Sequence, residues 1–272
     1  MQHFSISPKE MVASLWRNRS LFIALVRREV VGRYRGSIMG ILWSFLNPLS
    51  MLAVYTFVFS VVFKARWNAG SDSKTEFALV LFAGLIVFNL FADCFNRAPS
   101  LIASNVNYVK KVIFPLEILP WVVMGSALFH ALVSLVVWLF FYIIVFGIPP
   151  ASALLLPIVI LPVILFTMGL AWLLASLGVF LRDVTQVVGI ATTMLMFLSP
   201  IFYPISALPA KYKPLLFLNP LTLAIEQVRN VLIWGNVPDL LAFAVYLGLS
   251  ALMAFLGFAW FQKTRKGFAD VL

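Results

Sequence analysis

Charge and apolarity alternate along this chain in long blocks. The stretch REVVGRYRGSIMGILWSFLNPL, residues 28–49, changes character halfway, from a basic collar to a run without any charge. A helix needs roughly 20 apolar residues to cross a hydrocarbon core. Six such windows occur, at residues 37–63, 77–95, 118–146, 153–181, 187–203 and 239–261. Because unpaired backbone groups are too costly in lipid, each window is predicted to be a helix. The expected fold is therefore an all-α integral membrane protein with six transmembrane helices, residues 1–272 forming one transmembrane domain. In the fourth region the 31 uncharged residues 151–181 exceed one span without holding two, and Pro157 and Pro162 predict a kinked or late start.

Three segments depart from this plan. Over residues 9–35, Met11, Val12, Leu15, Phe22, Val26 and Val30 share one helical face, with Glu10, Arg17 and Arg28 opposite. That pattern predicts an amphipathic helix lying in the membrane interface, in two pieces if Asn18, Arg19 and Ser20 interrupt it and Ser20 caps the second. Residues 96–115 are long enough for a short connecting helix. Residues 204–236 are proline-rich yet apolar, as expected of helices that re-enter the membrane or cover a pore mouth. No internal repeat is visible.

Composition agrees: 62% of the 272 residues are hydrophobic and 11% charged, with a net charge of +10. The basic residues lie between long apolar runs and not on one soluble face, so the charge marks orientation, and no nucleic-acid partner is expected. Of 20 lysines and arginines, fourteen fall on the side of the termini, seven of them before residue 37. An even number of windows puts the two termini on one side, and this bias makes that side the cytoplasm. The N-terminal region has no cleavable signal pattern, so the first span is expected to act as its own targeting signal. Cys94 is the single cysteine, which excludes an intramolecular disulfide and a cysteine metal site.

No glycine precedes a lysine anywhere, so a phosphate-cradling P-loop is excluded, and any ATPase must be another polypeptide. The ten acids fall mostly at the edges of the windows, unlike the mid-membrane groups of an ion relay. Asp93 and Glu117 read as solvated helix ends, and His130, the one mid-window titratable group, as a helix–helix hydrogen-bonding residue. No catalytic residue, metal site or bound cofactor is expected. The first window instead presents Ser44, Pro48, Met51, Tyr55 and Phe59 on one face, with Asn47, Ser50, Thr56 and Ser60 close by. The fifth carries Thr192, Thr193, Met194, Phe197 and Ser199 into PIFYPI, which holds Phe202 and Tyr203. Aromatic rings stack on sugar faces while hydroxyls and amides bond sugar hydroxyls. The same residues would equally serve as lipid-facing interfacial aromatics.

Four motifs in order, RYRGSIMGILWSFLNPL (33–49), LRDVTQV (181–187), SPIFYPI (199–205) and LNPLT (218–222), resemble the permease subunit of type 2 ABC exporters. The similarity runs over essentially the whole chain and is nearest to the polysaccharide-export branch, which includes Wzm-type O-antigen, capsule and teichoic acid permeases. It implies a homodimer in the bacterial inner membrane, bound to two ATP-binding cassette subunits that carry ATP and Mg. The complex would pass an undecaprenyl-linked polysaccharide, O-antigen being the first candidate, from cytoplasm to periplasm through a channel at the dimer interface. Residues 9–35 would be the interface helix, 96–112 the coupling helix and 204–236 the re-entrant segment.

Roles for individual residues follow from that resemblance. Tyr55, Phe59, Phe197, Phe202 and Tyr203 would line the path. Arg27, Arg28, Arg33 and Arg35 would form a collar at the phosphates of the lipid carrier, or act only as anchors. Asn105, Tyr108, Lys110, Lys111, Arg182 and Asp183 would meet the ATPase, although Arg182 and Asp183 would equally pair with each other at their turn. An exporter of a smaller lipid or drug with the same fold, and an integral membrane enzyme acting on lipid-linked sugars, are the alternatives.

Overall fold

The computed structural model describes residues 6–62, 67, 74–110 and 114–272. Two helices precede the first apolar window, α1 (Pro8–Arg17) and α2 (Arg19–Arg33). Ser7 caps α1 by accepting the Lys9 N–H, and Pro8 takes the first turn, where an N–H is not needed. The chain breaks at Asn18, whose side-chain amide turns back to the Ser14 carbonyl at 2.8 Å. Ser20 is not the cap of the second piece: it lies inside the first turn of α2. Val12, expected on the apolar face, is exposed, whereas Ser14, Leu25 and Val30 are buried.

A 3-10 turn at Gly40–Leu42 leads into α3 (Trp43–Tyr55), which widens into a π-helical turn over Thr56–Val62. Next come α4 (Lys74–Arg97), the short α5 (Val106–Val109) and α6 (Ile118–Phe146). Gly147, at φ 82°, stops α6 where a residue with a Cβ would be strained. The proline-bearing fourth region enters through a 3-10 turn (Ala151–Leu155) and α7 (Leu156–Val159) before the long α8 (Leu161–Phe180). Then follow α9 (Val184–Leu198), α10 (Lys213–Phe217), α11 (Pro220–Arg229), α12 (Leu240–Thr264) and α13 (Phe268–Val271).

Among the described residues five helical stretches are long and apolar enough to cross a bilayer, those containing α3, α4, α6, α8 and α12. The fifth window yields a shorter helix: α9 has 15 residues and stops at Leu198, five before the expected end. Pro200 and Pro204 lack the N–H that would continue it, and Ser199, just before a proline, adopts extended backbone.

The helices are not equally enclosed. Of the apolar window in α4, 83% is buried, against 11% for that of α3. The axis of the bundle is thus α4, packed by α6, α8, α9 and α11, and α3 is an outlying helix. The most extensive contact joins α8 to α12. It is built on small residues: a Cβ on Gly257 would sit 2.0 Å from the Gly169 carbonyl oxygen, and one on Gly169 would sit 2.4 Å from that of Met253. Without hydrophobic drive in lipid, such close backbone approach is what holds helices together.

Ser14 of α1 and Arg265, just after α12, both bond Glu117 at the start of α6. The two terminal segments therefore share one end of the bundle, called below the terminal end.

Candidate transport path

At the terminal end, α2 and α4 meet through charges spaced four residues apart on each helix. Arg33 donates to Asp93 Oδ1 at 2.9 Å, and Arg97 pairs with Glu29 while also lying 3.9 Å from Asp93 Oδ2. Spacing of four places both members of each set on one helix face, giving a two-rung ladder. Asp93 is thus not a freely solvated helix end. The Arg33 side chain keeps 44% of its exposure, so that rung contributes at most about 1 kcal/mol.

Beside this ladder opens a cleft of about 860 Å³, running between α3 and the faces of α4 and α6. Its polar lining comprises Arg33, Tyr34, Ser37, Ser44 and Asn47 on one wall and Asn89, Asp93, Asn96, His130 and Ser134 on the other. The face of the first window read from sequence, Ser44, Pro48, Met51 and Tyr55, lines it. Pro48 has no N–H to donate to the Ser44 carbonyl, so α3 lacks that backbone bond. His130 serves as a contact between elements, its Nδ1 lying 3.5 Å from the Tyr34 hydroxyl. Thr192 of α9 donates to Asn96 at 2.7 Å. Asp93 Oδ2 and His130 Nε2 have no hydrogen-bond partner among the described residues.

At its other end the cleft reaches Tyr55, and there an aromatic cluster begins. Phe59 stacks on Phe202, with centroids 5.2 Å apart and planes at 17°, while Tyr55 lies 6.1 Å and Phe197 5.9 Å from the same Phe202 ring. Tyr203 donates its hydroxyl to the Phe197 carbonyl at 3.2 Å. Five side chains distant in sequence, proposed as path lining, are thereby gathered in one place. The π turn after Tyr55 and the break after Leu198 bring the two halves together, since each redirects side chains that a regular helix would turn away.

The break is held from behind by Arg229. Its guanidinium is fully buried and donates to the carbonyls of Val80, Pro200 and Ile201 at 3.0, 2.5 and 3.0 Å and to Glu226 at 2.9 Å. The Trp67 ring lies 4.3 Å away over its plane. Arg229, which the sequence places only among the six basic residues away from the side of the termini, is the most enclosed charge of the described residues. Burial lowers its pKa to about 10, against the pull of Glu226, so it is a cation at neutral pH.

A second polar centre lies at the terminal end. The Glu117 carboxylate accepts from Ser14 at 2.8 Å and from Arg265 at 2.5 Å, and its backbone carbonyl accepts the indole N–H of Trp172 at 3.1 Å. Only 6% exposed, Glu117 is a buried hub and not the solvated helix end its position suggested. Arg265 also donates to the Phe114 carbonyl at 2.7 Å. The Phe114 ring stacks on Tyr108, centroids 4.2 Å apart.

The collar residues separate into two groups. Arg28 donates to the Tyr108 hydroxyl at 2.6 Å, and Arg33 holds Asp93; Arg27 and Arg35 are exposed. Asn105, Tyr108 and Lys110 lie in the short helical segment between α4 and α6, while Lys111 lies outside the described residues. Arg182 and Asp183 are exposed at the α8–α9 turn and form no ion pair with each other, which corrects the expected local pairing; Asp183 does not cap α9 with its side chain either. Among the described residues no three His, Cys, Asp or Glu side chains gather to hold a metal ion.

The chain is 29% identical over 262 residues to an O-antigen export system permease protein RfbA of Myxococcus xanthus, covering 96% of this chain and 98% of that protein. A protein of the same name from Klebsiella pneumoniae is 25% identical over 93% of this chain and 95% of its own length. The polysialic acid transport protein KpsM of Escherichia coli is 24% identical over 89% and 92%. The pattern of the ABC-2 type transporter family matches residues 20–233, and the chain belongs to that family.

Proposed function

We propose that this chain is the permease subunit of an ATP-driven exporter of lipid-linked polysaccharide, with O-antigen as the first candidate. The observation that carries the reading is the continuity of a cleft lined by amides and hydroxyls with an aromatic cluster, joined at Tyr55. Sugars offer hydroxyls to the first and apolar ring faces to the second. The amides of Asn47, Asn89 and Asn96 and the hydroxyl of Ser134 on the cleft walls are suited to exchange hydrogen bonds with such hydroxyls. The names of the three relatives point to the same cargo class.

In this reading two copies assemble through the exposed apolar faces of α3 and α9, where Phe45, Leu49, Val54, Val187, Ile190 and Met194 are uncovered. Both termini are cytoplasmic, in the bacterial inner membrane, and α9 counts as the sixth crossing. Two ATP-binding cassette subunits, which carry ATP and Mg, dock on the segment holding Asn105, Tyr108 and Lys110, together with the Arg182–Asp183 turn. The undecaprenyl-linked phosphates meet the collar, where the exposed Arg27 and Arg35 are free to receive them and Arg33 must first release Asp93. Residues 204–236 cover the periplasmic mouth, and the cluster of Phe59, Phe197 and Phe202 lines the path below it.

A clean deletion tests the reading. Undecaprenyl-linked glycan is expected to accumulate inside the cell, and the wild-type gene to restore surface glycan. Normal surface glycan in the deletion, with no second permease gene present, would overturn the reading. A Phe59→Ala, Phe202→Ala pair tests the path itself: coupled losses of export, about 1 kcal/mol beyond additivity, are expected of stacked rings.

A further inference from the structure

The Glu117 hub is not needed to build any single helix, yet it joins five separate parts of the chain within a few ångströms. Ser14 belongs to α1, Glu117 starts α6, Trp172 lies in α8, Arg265 follows α12, and Phe114 closes the segment after α5. Its charges are enclosed, the Arg265 and Glu117 side chains keeping only 10% and 8% of their exposure. Trp172, with no exposure, carries the contact inward to Trp121 and Phe258 at centroid distances of 5.6 and 5.2 Å.

Outward, the same hub is attached to the proposed ATPase-docking segment. The Phe114 carbonyl is held by Arg265, and the Phe114 ring lies flat on Tyr108, planes at 5°. Arg28 holds Tyr108 from α2, donating to its hydroxyl and lying 5.8 Å from its ring centroid. Tyr108 is thus clamped between α2 and the hub. A push on the α5 segment reaches α6, α8 and α12 together through Phe114, Glu117 and Arg265, while Tyr108 and Arg28 tie it to α2, which packs on α6. By contrast, the Arg33 rung of the α2–α4 ladder is largely solvated and weak. Ser14 and Arg265 lie outside the residues that match the family pattern, 20–233.

We propose that Glu117 and Arg265 are positioning residues for energy coupling: they make the α5 segment and the ends of α1, α6, α8 and α12 move as one body. The inference rests on the reading that an ATPase docks on α5. Tightly packed elements transmit small displacements, whereas loosely attached ones absorb them.

The test uses the whole permease–ATPase complex in proteoliposomes, with Glu117→Gln, Arg265→Ala and Arg265→Lys. Expected for Glu117→Gln and Arg265→Ala are normal membrane levels, co-purification of the ATPase and ATP hydrolysis close to wild type. Export is expected to fall about three- to thirtyfold, the range found when a coupling element is cut. Arg265→Lys keeps the charge and is expected to restore export in part. Hydrogen exchange supplies a second readout. Nucleotide is expected to change protection over residues 103–110 in all forms, but over the last turns of α12 only in wild type and Arg265→Lys. If Arg265→Ala fails to insert, the Glu117→Gln and Arg265→Lys pair decides. Export and ATP hydrolysis falling in proportion, or α12 still responding in Arg265→Ala or Glu117→Gln, would overturn the inference and leave docking on α5 intact. A wild-type complex whose residues 103–110 ignore nucleotide would overturn the docking reading and the inference with it.

Discussion

The guanidinium of Arg229 lies against the bare Cα of Gly84: a Cβ built there would stand 2.7 Å from Nη2 and 3.3 Å from Cζ. The two residues are a matched pair, since the absence of a side chain in α4 makes the room that the buried cation fills. Replacing Gly84 by alanine is expected to push Arg229 off the carbonyls of Val80, Pro200 and Ile201. Overpacking of this kind costs about 1–3 kcal/mol. Thermal unfolding of the purified permease in detergent measures it, and export should fall with it, because Phe202 follows directly on Ile201.

Removing the cation has a different signature. Arg229→Met leaves three carbonyl partners without their donor, for a loss of about 3 kcal/mol or more. The gap in melting temperature between wild type and variant should be flat from pH 6 to 9, because burial lowers the guanidinium only to about 10. Above about 10 the folded protein gives up this proton, while the unfolded chain, whose guanidinium keeps its ordinary higher value, still holds it. The unfolded state then binds more protons, so this group makes stability rise with pH there. A gap that changed between pH 6 and 8 would show that another titrating group governs the site.

Glycines in α12 differ in what surrounds them. A Cβ on Gly257 meets the Gly169 carbonyl oxygen at 2.0 Å, whereas one on Gly248 meets nothing within 4 Å. Gly257→Ala must separate α8 from α12 and is expected to destabilise by about 2–3 kcal/mol. Gly248→Ala is expected to be neutral or to stabilise by up to about 1 kcal/mol through helix propensity. Thermal unfolding and limited proteolysis of the two variants side by side check the contrast.

The collar makes a prediction about phosphate. With Arg33 and Arg35 both changed to Gln and insertion verified, a lipid head group loses two basic neighbours worth about 1 kcal/mol each. Export should therefore fall about tenfold or more, and Asp93→Asn alone, which frees Arg33 from its rung, should not reproduce the loss. Unchanged export in the double variant would leave these arginines as topology signals only.

Much of this architecture was legible because lipid makes helix formation compulsory. The window at 118–146 and the helix Ile118–Phe146 coincide, since a run that apolar, ending at Gly147, has no other way to satisfy its backbone. The face Ser44, Pro48, Met51, Tyr55 was likewise readable, because helical periodicity survives into the structure. Asp93 and Glu117 read as solvated helix ends for a shared reason. They stand near window ends, where solvated residues are common, and what encloses them comes from elements 55 to 148 residues away in sequence. For Arg229 the local signal is its place on α11, three residues after Glu226, where the two charges share one face of a helix that is otherwise largely apolar. The gathering of Phe59 with Phe202 depends on a π turn and a helix break whose geometry periodicity does not encode.

The enclosure of α4 bears on how the chain is made. Synthesis delivers this helix early, yet α6, α8, α9 and α11, which cover it, emerge afterwards. In water so bare a surface would invite aggregation; in a bilayer, lipid tails wrap it at little cost until each protein neighbour arrives. The exceptions are the Val80 carbonyl and Asp93, whose partners differ in timing: Arg33 is already present when Asp93 emerges, but Arg229 is not made until 149 residues after Val80. The terminal end of α4 can therefore settle at once, while its other end remains unfinished until the last third of the chain is translated.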